Sequence, residues 1–250
     1  MNKIIIMGAT SGIGFLVAQR MAEKGWKVGA CGRNVASLNA LKSDYPDNIF
    51  TAQIDITREK ATERLTALIN EMGGMDVYFH VSGVGYDNTE LSEDKEMKTL
   101  ETNVIGFARM IGEAYRYFRD NKVKGKIAAV TSVAGTKGIA QLAAYSSSKK
   151  FQQTYLTALN QLANNEGASI KFCDIRPGWI HTPLLKEGYS YPMEMTLDYA
   201  VPRIMKAMLR GKRVATVDWR WGILTSLWRL IPNSLWVHLN IPLNMKLSDK

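Results

Sequence analysis

Lys3-Ile4-Ile5-Ile6-Met7-Gly8-Ala9-Thr10-Ser11-Gly12-Ile13-Gly14 opens the chain with a short apolar run that passes directly into a glycine-rich turn, and a helical pattern begins at Phe15. The run is too short for the apolar core of a signal peptide and predicts a buried β-strand. Glycines between a strand and a helix let the backbone approach a pyrophosphate, and the helix N-terminus attracts the anion. A plain turn is the alternative. We predict a dinucleotide site formed by Gly8, Thr10, Ser11, Gly12, Ile13 and Gly14.

The same alternation of short β-branched runs and longer amphipathic stretches continues along the chain. It predicts an α/β fold with a single Rossmann-type, doubly wound parallel sheet in a three-layer αβα arrangement. No linker or repeat divides the sequence, so residues 1–250 are expected to form one domain, with a C-terminal amphipathic extension. Strands are predicted at 3–7, 27–32, 48–54, 75–81, 125–131, 168–175 and 213–217, and helices at about 12–24, 34–44, 58–72, 93–120, 143–165 and 196–210.

Residues after the second and third strands indicate which dinucleotide binds. Arg33 and Asn34 follow the second strand, where a cofactor without a 2′-phosphate would favour an acidic residue. Arg33 instead offers a planar guanidinium to a phosphate, so NADP(H) is preferred over NAD(H). After the third strand, Asp55 is suited to accept from the adenine amino group, with Ile56 flanking the ring. Alternatively, Arg33 is only a solvated charge and Asp55 only the start of a helix.

Ser132, Tyr145 and Lys149 are residue types suited to proton transfer. Tyr145 and Lys149 are four residues apart in a predicted helix, so their side chains share one face. A lysine cation beside a phenol lowers the tyrosine pKa and fits it to exchange a proton with an alcohol or ketone. Ser132 is then placed to hold the substrate oxygen. Because a Tyr-x-x-x-Lys match arises readily by chance, this prediction depends on the other motifs.

These motifs occur in the order typical of one family. Over roughly residues 1–217 the sequence resembles the classical short-chain dehydrogenase/reductase family. The fold that this resemblance implies is the one predicted above from the alternation of strands and helices. The residues that carry the resemblance are Gly8, Gly12, Gly14, Asp55, Asn103, Ser132, Tyr145, Lys149, Pro177 and Gly178.

The resemblance implies a role for each catalytic candidate. Tyr145 would be the general acid in ketone reduction and the base in alcohol oxidation. Lys149 would bind the nicotinamide ribose and tune Tyr145, while Ser132 would hold the substrate oxygen. Asn103 would lie on a helix whose backbone is held open to bind a proton-relay water.

Two further segments belong to the implied cofactor site. Pro177, Ile180 and Thr182 lie in a loop that would hold the nicotinamide carboxamide. After the fourth strand the sequence is His80-Val81-Ser82-Gly83, where the family usually has Asn-Asn-Ala-Gly. Ser82 and Gly83 still allow the cofactor to approach, but any hydrogen bonds of the two asparagines must be made by other groups. We interpret the departure as variation within the family.

Composition argues against several other functions. Two distant cysteines and three scattered histidines match no metal-binding spacing, so no metal is expected, and the thiols are typical of a cytoplasmic protein. No stretch is apolar enough to predict a transmembrane helix. The formal net charge is +9, and residues 201–250 hold nine Lys or Arg against two Asp, which suggests an anionic partner. No nucleic-acid-binding motif accompanies this charge, so nucleic acid is not the expected partner.

The C-terminal part indicates the substrate class. Residues 183–197 are expected to form a substrate lid, and their aromatic and methionine side chains favour an apolar substrate, although ordinary core packing is an alternative. Residues 219–250 form an extension rich in tryptophan, arginine and leucine. Such a composition suits peripheral membrane contact through 219–245, on the inner face of a membrane, or a tail that packs over the cleft or across a dimer interface.

The sequence therefore predicts an NADPH-dependent carbonyl reductase or alcohol dehydrogenase that acts on an apolar or lipid-like ketone or secondary alcohol. A homo-oligomer, dimer or tetramer, is expected from the resemblance. Two alternatives remain: a non-catalytic NADP(H)-binding regulator, and a membrane-surface adaptor with the same fold.

Overall fold

Strands and helices alternate along the computed structural model of the chain, which describes residues 2–185, 188–241 and 245–246. The strands are β1 (Lys3–Met7), β2 (Lys27–Gly32), β3 (Ile49–Gln53), β4 (Val77–His80), β5 (Gly125–Val130), β6 (Ile170–Arg176), β7 (Tyr189–Ser190), β8 (Val214–Thr216) and β9 (Met245–Lys246). The helices are α1 (Gly12–Glu23), α2 (Val35–Asp44), α3 (Ala61–Glu71), α4 (Glu93–Leu100), α5 (Phe107–Asp120), α6 (Ala143–Asn165), α7 (Leu197–Arg210), α8 (Trp219–Trp228) and α9 (Asn233–Trp236).

Seven of these strands form one parallel sheet in the order β3-β2-β1-β4-β5-β6-β8, and β7 pairs with β9 in a separate antiparallel ribbon. The strand order reverses between β1 and β4. In such sheets a crevice opens at this reversal, outside the carboxyl ends of the strands, and ligands bind there. The predicted doubly wound fold is confirmed.

Both faces of the sheet are covered, because alternate residues of each strand point to opposite sides. Ile4 and Ile6 of β1 pack into a core with α1, α2 and α7, whereas Ile5 and Met7 pack into a second core with α3, α5 and α6. All four side chains are fully buried. The resulting three layers hold the carboxyl ends of the strands rigidly in one row.

The predicted helix over 93–120 is interrupted. Residues Glu101–Gly106 form a π-helical turn between α4 and α5. Such a turn adds a residue to the helical repeat and is often found at functional sites. It lies where Gly106 packs closely on Ile56, since a Cβ on Gly106 would lie 2.8 Å from the Ile56 Cγ1.

Candidate active site

A cavity of about 810 Å³ opens at the carboxyl ends of the strands. The turn after β1, the ends of β2 to β6 and the extension after β8 all contribute to its wall. Most of the predicted site residues lie here. They are Gly8, Thr10, Ser11, Gly12, Ile13, Arg33, Asp55, Ile56, Ser82, Gly83, Ser132, Tyr145, Lys149, Pro177, Ile180 and Thr182.

The glycine-rich turn has the geometry that its sequence requires. Gly8 has φ 103° and Gly12 has φ 51°, both in the region that favours glycine. A Cβ on Gly8 would lie 2.7 Å from the Ser82 backbone nitrogen, so the turn packs directly on the end of β4. Ser11 precedes α1 without using its side chain as a cap, which leaves its hydroxyl at the cavity. This cradle fits the pyrophosphate of a dinucleotide, because the turn and the first residues of α1 line one space, and the first N–H groups of an α-helix have no partner within the helix.

Gly14 has a different position. It does not belong to the cavity wall, and a Cβ there would lie 2.0 Å from the carbonyl oxygen of Gly8. Gly14 therefore lets α1 approach β1 closely, which supports the turn from behind. Asn34 is also placed away from the cavity, because its side chain caps α2 by accepting from the Ser37 N–H at 3.2 Å.

One end of the cavity is polar and basic. Arg33 is exposed there, and it also lines an adjoining depression with three further cations and two acids. Burial alone would raise the pKa of Asp55, but hydrogen bonds from Thr57 and the charges of Arg33 and Arg58 lower it. The Asp55 Oδ1 accepts from the Thr57 backbone at 3.0 Å and from its hydroxyl at 2.8 Å. The depression is lined by Arg33, Gln53, Asp55, Thr57, Arg58, Glu59, Lys60, Ala61 and Arg64.

The three proton-transfer candidates meet in the middle of the cavity. Ser132 follows β5, its hydroxyl accepts from the Ala134 N–H at 3.1 Å, and it lies close enough to the Tyr145 phenol to influence the pKa of that group. Lys149 lies one turn along α6, with its Nζ 5.6 Å from the centroid of the Tyr145 ring. The ammonium donates to the Val130 carbonyl and to the Gln152 Oε1, both at 3.1 Å.

The electrostatics of this group differ from the expectation. Burial raises the pKa of Tyr145, and the nearby Ser132 hydroxyl only partly opposes that effect. Burial lowers the pKa of Lys149 to about 8, although the Asp174 carboxylate acts in the opposite direction. The predicted lowering of the tyrosine pKa by lysine was thus wrong, because burial of the phenol determines the direction of the shift. The phenol is protonated at neutral pH, which is the form that donates to a carbonyl oxygen.

Asn103 lies behind the cavity wall, inside the π-helical turn, and is fully buried. Its Oδ1 accepts from the Val84 N–H at 2.9 Å, and its Nδ2 donates to the Val84 carbonyl at 2.7 Å. The side chain therefore fixes the loop after β4 beside Tyr145, where a Cβ on Gly85 would lie 2.8 Å from the ring. The Asn103 carbonyl accepts from the Gln152 Nε2 at 2.9 Å, so it is not simply open as expected.

The departure after β4 is accommodated by packing. The His80 ring lies 5.0 Å from the Phe107 ring, and its Nδ1 is 3.2 Å from the Tyr78 hydroxyl. Burial, and secondarily the Lys149 charge, lower the pKa of His80 to about 3, so the ring is neutral. Ser82 and Gly83 reach the cavity, as predicted from the sequence.

The loop after β6 closes the cavity from the other side. The Val133 N–H donates to the Pro177 carbonyl at 3.0 Å, which joins this loop to the segment after Ser132. Thr182 approaches the glycine-rich turn, since a Cβ on Gly12 would lie 3.3 Å from its Cγ2. Ile180 is buried and pairs with Met195, which anchors the base of the segment 183–197.

Apolar side chains line the opposite end of the cavity. The described part of 183–197 contributes Pro183, Leu184, Leu185, Tyr191, Pro192 and Met193, while residues 186–187 lie outside the described residues. The extension contributes Trp221, Leu224, Trp228, Trp236 and Ile241. Such a wall suits an apolar ligand with a few fixed polar groups near Tyr145.

Hydrogen bonds fix the tryptophans of the extension to the loop after Ser132. The Trp228 Nε1 donates to the Thr136 hydroxyl at 2.7 Å, and the Trp236 Nε1 donates to the Gly138 carbonyl at 2.7 Å. Trp221 packs on Gly178, where a Cβ would lie 2.0 Å from its Nε1. Of the three arrangements considered for the tail, packing over the cleft is the one observed for residues 219–241. Residues 242–244 and 247–250 lie outside the described residues.

The opposite side of α8 faces solvent. Trp219, Ile223 and Leu227 on this helix and Leu230 in the turn that follows it, here termed the outer face, are 70%, 54%, 59% and 78% exposed. Residues 219–241 contain two arginines and no Asp or Glu. Within the described ranges, no helix has the length and apolarity needed to cross a membrane. The same residues include no group of three or more metal-ligating side chains.

Comparison with known proteins gives the family context of this geometry. A family model described as short chain dehydrogenase matches residues 2–190. An uncharacterized oxidoreductase of Myxococcus xanthus is 29% identical over 238 residues, which cover 92% of this chain and 93% of that protein. A farnesol dehydrogenase of Aedes aegypti is 27% identical over 198 residues, covering 74% and 79%. The solved structure of ElxO with NADP bound has a TM-score of 0.78 at 21% identity, covering 89% of this chain and 99% of that one, which shows the shared fold.

Proposed function

The chain belongs to the short chain dehydrogenase family of oxidoreductases, and we propose that it is an NADPH-dependent carbonyl reductase or alcohol dehydrogenase acting on apolar ketones or secondary alcohols. The observation that carries this proposal is the position of the Tyr145 phenol. It lies between the polar and the apolar ends of one cavity, with the Ser132 hydroxyl nearby and the Lys149 ammonium 5.6 Å from the centroid of its ring.

In reduction, the substrate carbonyl oxygen lies against the hydroxyls of Ser132 and Tyr145. NADP(H), when bound, supplies or accepts the hydride at the carbonyl carbon. Tyr145 donates its proton to the oxygen, which completes the alcohol, and takes a proton in the reverse reaction. The raised pKa keeps the phenol protonated at neutral pH, so the proton to be donated is present before the reaction. Lys149 stabilises the phenolate that is left after the transfer, because its ammonium lies beside the ring.

The polar end of the cavity supports NADP(H) over NAD(H). Gly8, Thr10, Ser11, Gly12 and Ile13 would hold the pyrophosphate, and Asp55 and Ile56 the adenine. Arg33 stands at the end of β2 with Arg58, Lys60 and Arg64 in the adjoining depression. A 2′-phosphate placed there gains charge-assisted hydrogen bonds that the ribose hydroxyl of NAD(H) lacks.

The apolar end supports a lipid-like substrate. Its tryptophans lie close together, with ring centroids of Trp228 and Trp236 5.6 Å apart. The N–H groups of Trp228 and Trp236 donate to the loop that follows Ser132, so these two rings present mainly apolar surface. Farnesol, which the name of one relative gives as its substrate, is a primary rather than a secondary alcohol, but it has the apolar, lipid-like character that this wall favours.

The proposal is tested by oxidation of NADPH in the presence of ketones of increasing chain length, with wild type and Tyr145→Phe compared. We expect activity that rises with chain length and is lost in Tyr145→Phe while NADPH binding persists. Binding of NADPH without oxidation by any ketone would instead favour the non-catalytic regulator.

The outer face favours a second, accessory function, namely peripheral contact with an anionic bilayer. Trp219 and three aliphatic side chains form an exposed apolar stripe along α8 and the turn after it, a segment without acidic residues. Tryptophan and leucine on such a face partition into the interface, and nearby cations are attracted to anionic lipid. Since Leu224 of the same helix lines the cavity, docking would bring the cavity mouth to the membrane.

Flotation with vesicles of phosphatidylcholine and phosphatidylglycerol tests this contact. Wild type is expected to float with mixed vesicles, and the double variant Ile223→Gln/Leu227→Gln is not. Val35→Gln, at an exposed apolar residue of α2, serves as the control and is expected to float. Equal behaviour of all three proteins would contradict the membrane function without affecting the enzymatic one.

Three further features remain proposals: one domain over 1–250 with 183–197 as its lid, a homo-oligomer, and a cytoplasmic location. Both cysteines are buried and unpaired, which accords with a reducing compartment.

A further inference from the structure

Gln152 joins two of the residues placed in the proton-transfer site. It is fully buried on α6, and its Oε1 accepts from the Lys149 Nζ at 3.1 Å. Its Nε2 donates to the Asn103 carbonyl at 2.9 Å. Tyr145, Lys149 and Gln152 are spaced i, i+4 and i+7, so one helix face carries all three. One amide therefore connects the ammonium on α6 to the π-helical turn before α5.

The contacts of Lys149 show why this amide matters. An ammonium has three N–H donors, and Val130 and Gln152 accept from two of them, which leaves one for the cavity. The ionisable groups that face the ammonium are Tyr145 on the same helix, Asp174 on β6 and His80 on β4. Asp174 is the acid among them, and it is itself held by Arg176 and Thr131. Gln152 is thus a direct, neutral acceptor that favours the charged form of a buried lysine.

We infer that Gln152 is a positioning residue of the proton-transfer site, whose amide links the Lys149 ammonium to the Asn103 carbonyl, fixes the position of the ammonium and keeps it protonated. This role rests on the proposed function for its catalytic meaning, but the contact itself exists in the protein without ligand. The amide stands where the resemblance implied a relay water on the Asn103 carbonyl. Because an amide has no acidic proton to pass on, its effect is to hold and charge Lys149.

The inference is tested by NMR titration of lysine side chains labelled with ¹³C at Cε, in the protein without ligand. The resonance missing from Lys149→Met identifies Lys149. In wild type it is expected to titrate at a pKa of about 8. Gln152→Met keeps the length of the side chain but removes both hydrogen bonds, so we expect the Lys149 pKa to fall by roughly one unit. Gln161→Met, at an exposed position of the same helix, is the matched control and should leave it unchanged.

A second variant, Gln152→Glu, covers the case in which Gln152→Met does not fold. It keeps an acceptor and adds a negative charge, so the Lys149 pKa should rise above the wild-type value. An unchanged pKa in either folded variant overturns the inference. The titration needs neither cofactor nor turnover, so its outcome is independent of the enzymatic assay. If the protein reduces no ketone, the proposed function is refuted, but the role of Gln152 is still decided by the titration alone.

Discussion

Replacement of Arg33 by alanine should weaken the binding of NADPH much more than the binding of NADH. Arg33 is exposed and lines both the cavity and the basic depression beside it. A hydrogen bond between charged groups contributes about 1.5–3 kcal/mol, and exposure places Arg33 near the lower end of this range. The expected loss of about 1.5–2 kcal/mol corresponds to NADPH binding that is about 10–30-fold weaker. NADH has no 2′-phosphate, so its affinity should change less than about 2-fold.

Isothermal titration calorimetry with NADPH and with NADH measures both effects. Arg210→Ala is the control, because Arg210 is an exposed cation at the end of α7 that lines neither cavity nor depression. Raising the salt concentration should reduce the difference between the cofactors, since exposed charges are screened over about 10 Å at 0.1 M ionic strength. Equal weakening of NADPH and NADH, or unchanged NADPH binding, would refute the role given to Arg33.

Three other predictions concern packing, the pocket wall and pH. In Gly14→Ala the new Cβ meets backbone atoms of Gly8, so urea denaturation should show a free energy of unfolding that is lower by about 3 kcal/mol. Gly138→Ala, where the new Cβ has no atom within 4 Å, is the control and should change this free energy by less than about 0.5 kcal/mol. Equal losses in the two variants would contradict the close contact at Gly14. Trp228→Phe removes the bond to Thr136, so the KM for long-chain ketones should rise about 10-fold while that for short ketones stays the same, and a uniform rise would argue against a substrate wall. Folding lowers the Lys149 pKa from 10.5 to about 8, so between these pH values the unfolded chain binds more protons than the folded one. The free energy of unfolding of wild type should therefore rise with pH in this range relative to that of Lys149→Met. A difference between the two proteins that stays constant with pH would show that Lys149 is not desolvated.

The fold was predictable because it depends on local patterns. Ile4, Ile5 and Ile6 can be buried together only in a strand that is covered on both faces, and the observed sheet has β1 near its centre. The glycine-rich turn was predictable for the same reason. The π-helical turn was not, since the residues of 93–120 keep a helical periodicity that gives no sign of one extra residue.

Long-range contacts limited the prediction of the site. The composition of residues 219–250 fits both a membrane surface and a pocket wall. The hydrogen bond from Trp228 to Thr136 places one side of α8 in the pocket wall, and the two residues are 92 positions apart in the sequence, so composition could not reveal this contact. Tyr145 and Lys149 were found from spacing, but their pKa values depend on burial, which spacing does not reveal. Gln152 was detectable in principle, because it continues the same helix face, yet its bond to Asn103 requires the tertiary structure.

Transfer of deuterium from NADPH labelled at C4 to an apolar ketone tests the central proposal most directly. Both C4 positions are labelled in turn, and mass spectrometry detects the label in the alcohol. Wild type should produce alcohol that carries deuterium from one of the two labelled cofactors, and Tyr145→Phe should bind NADPH but form no labelled alcohol. Labelled alcohol formed equally well by Tyr145→Phe, or none formed by wild type with any apolar ketone, would contradict the proposed role of the Ser132, Tyr145 and Lys149 site.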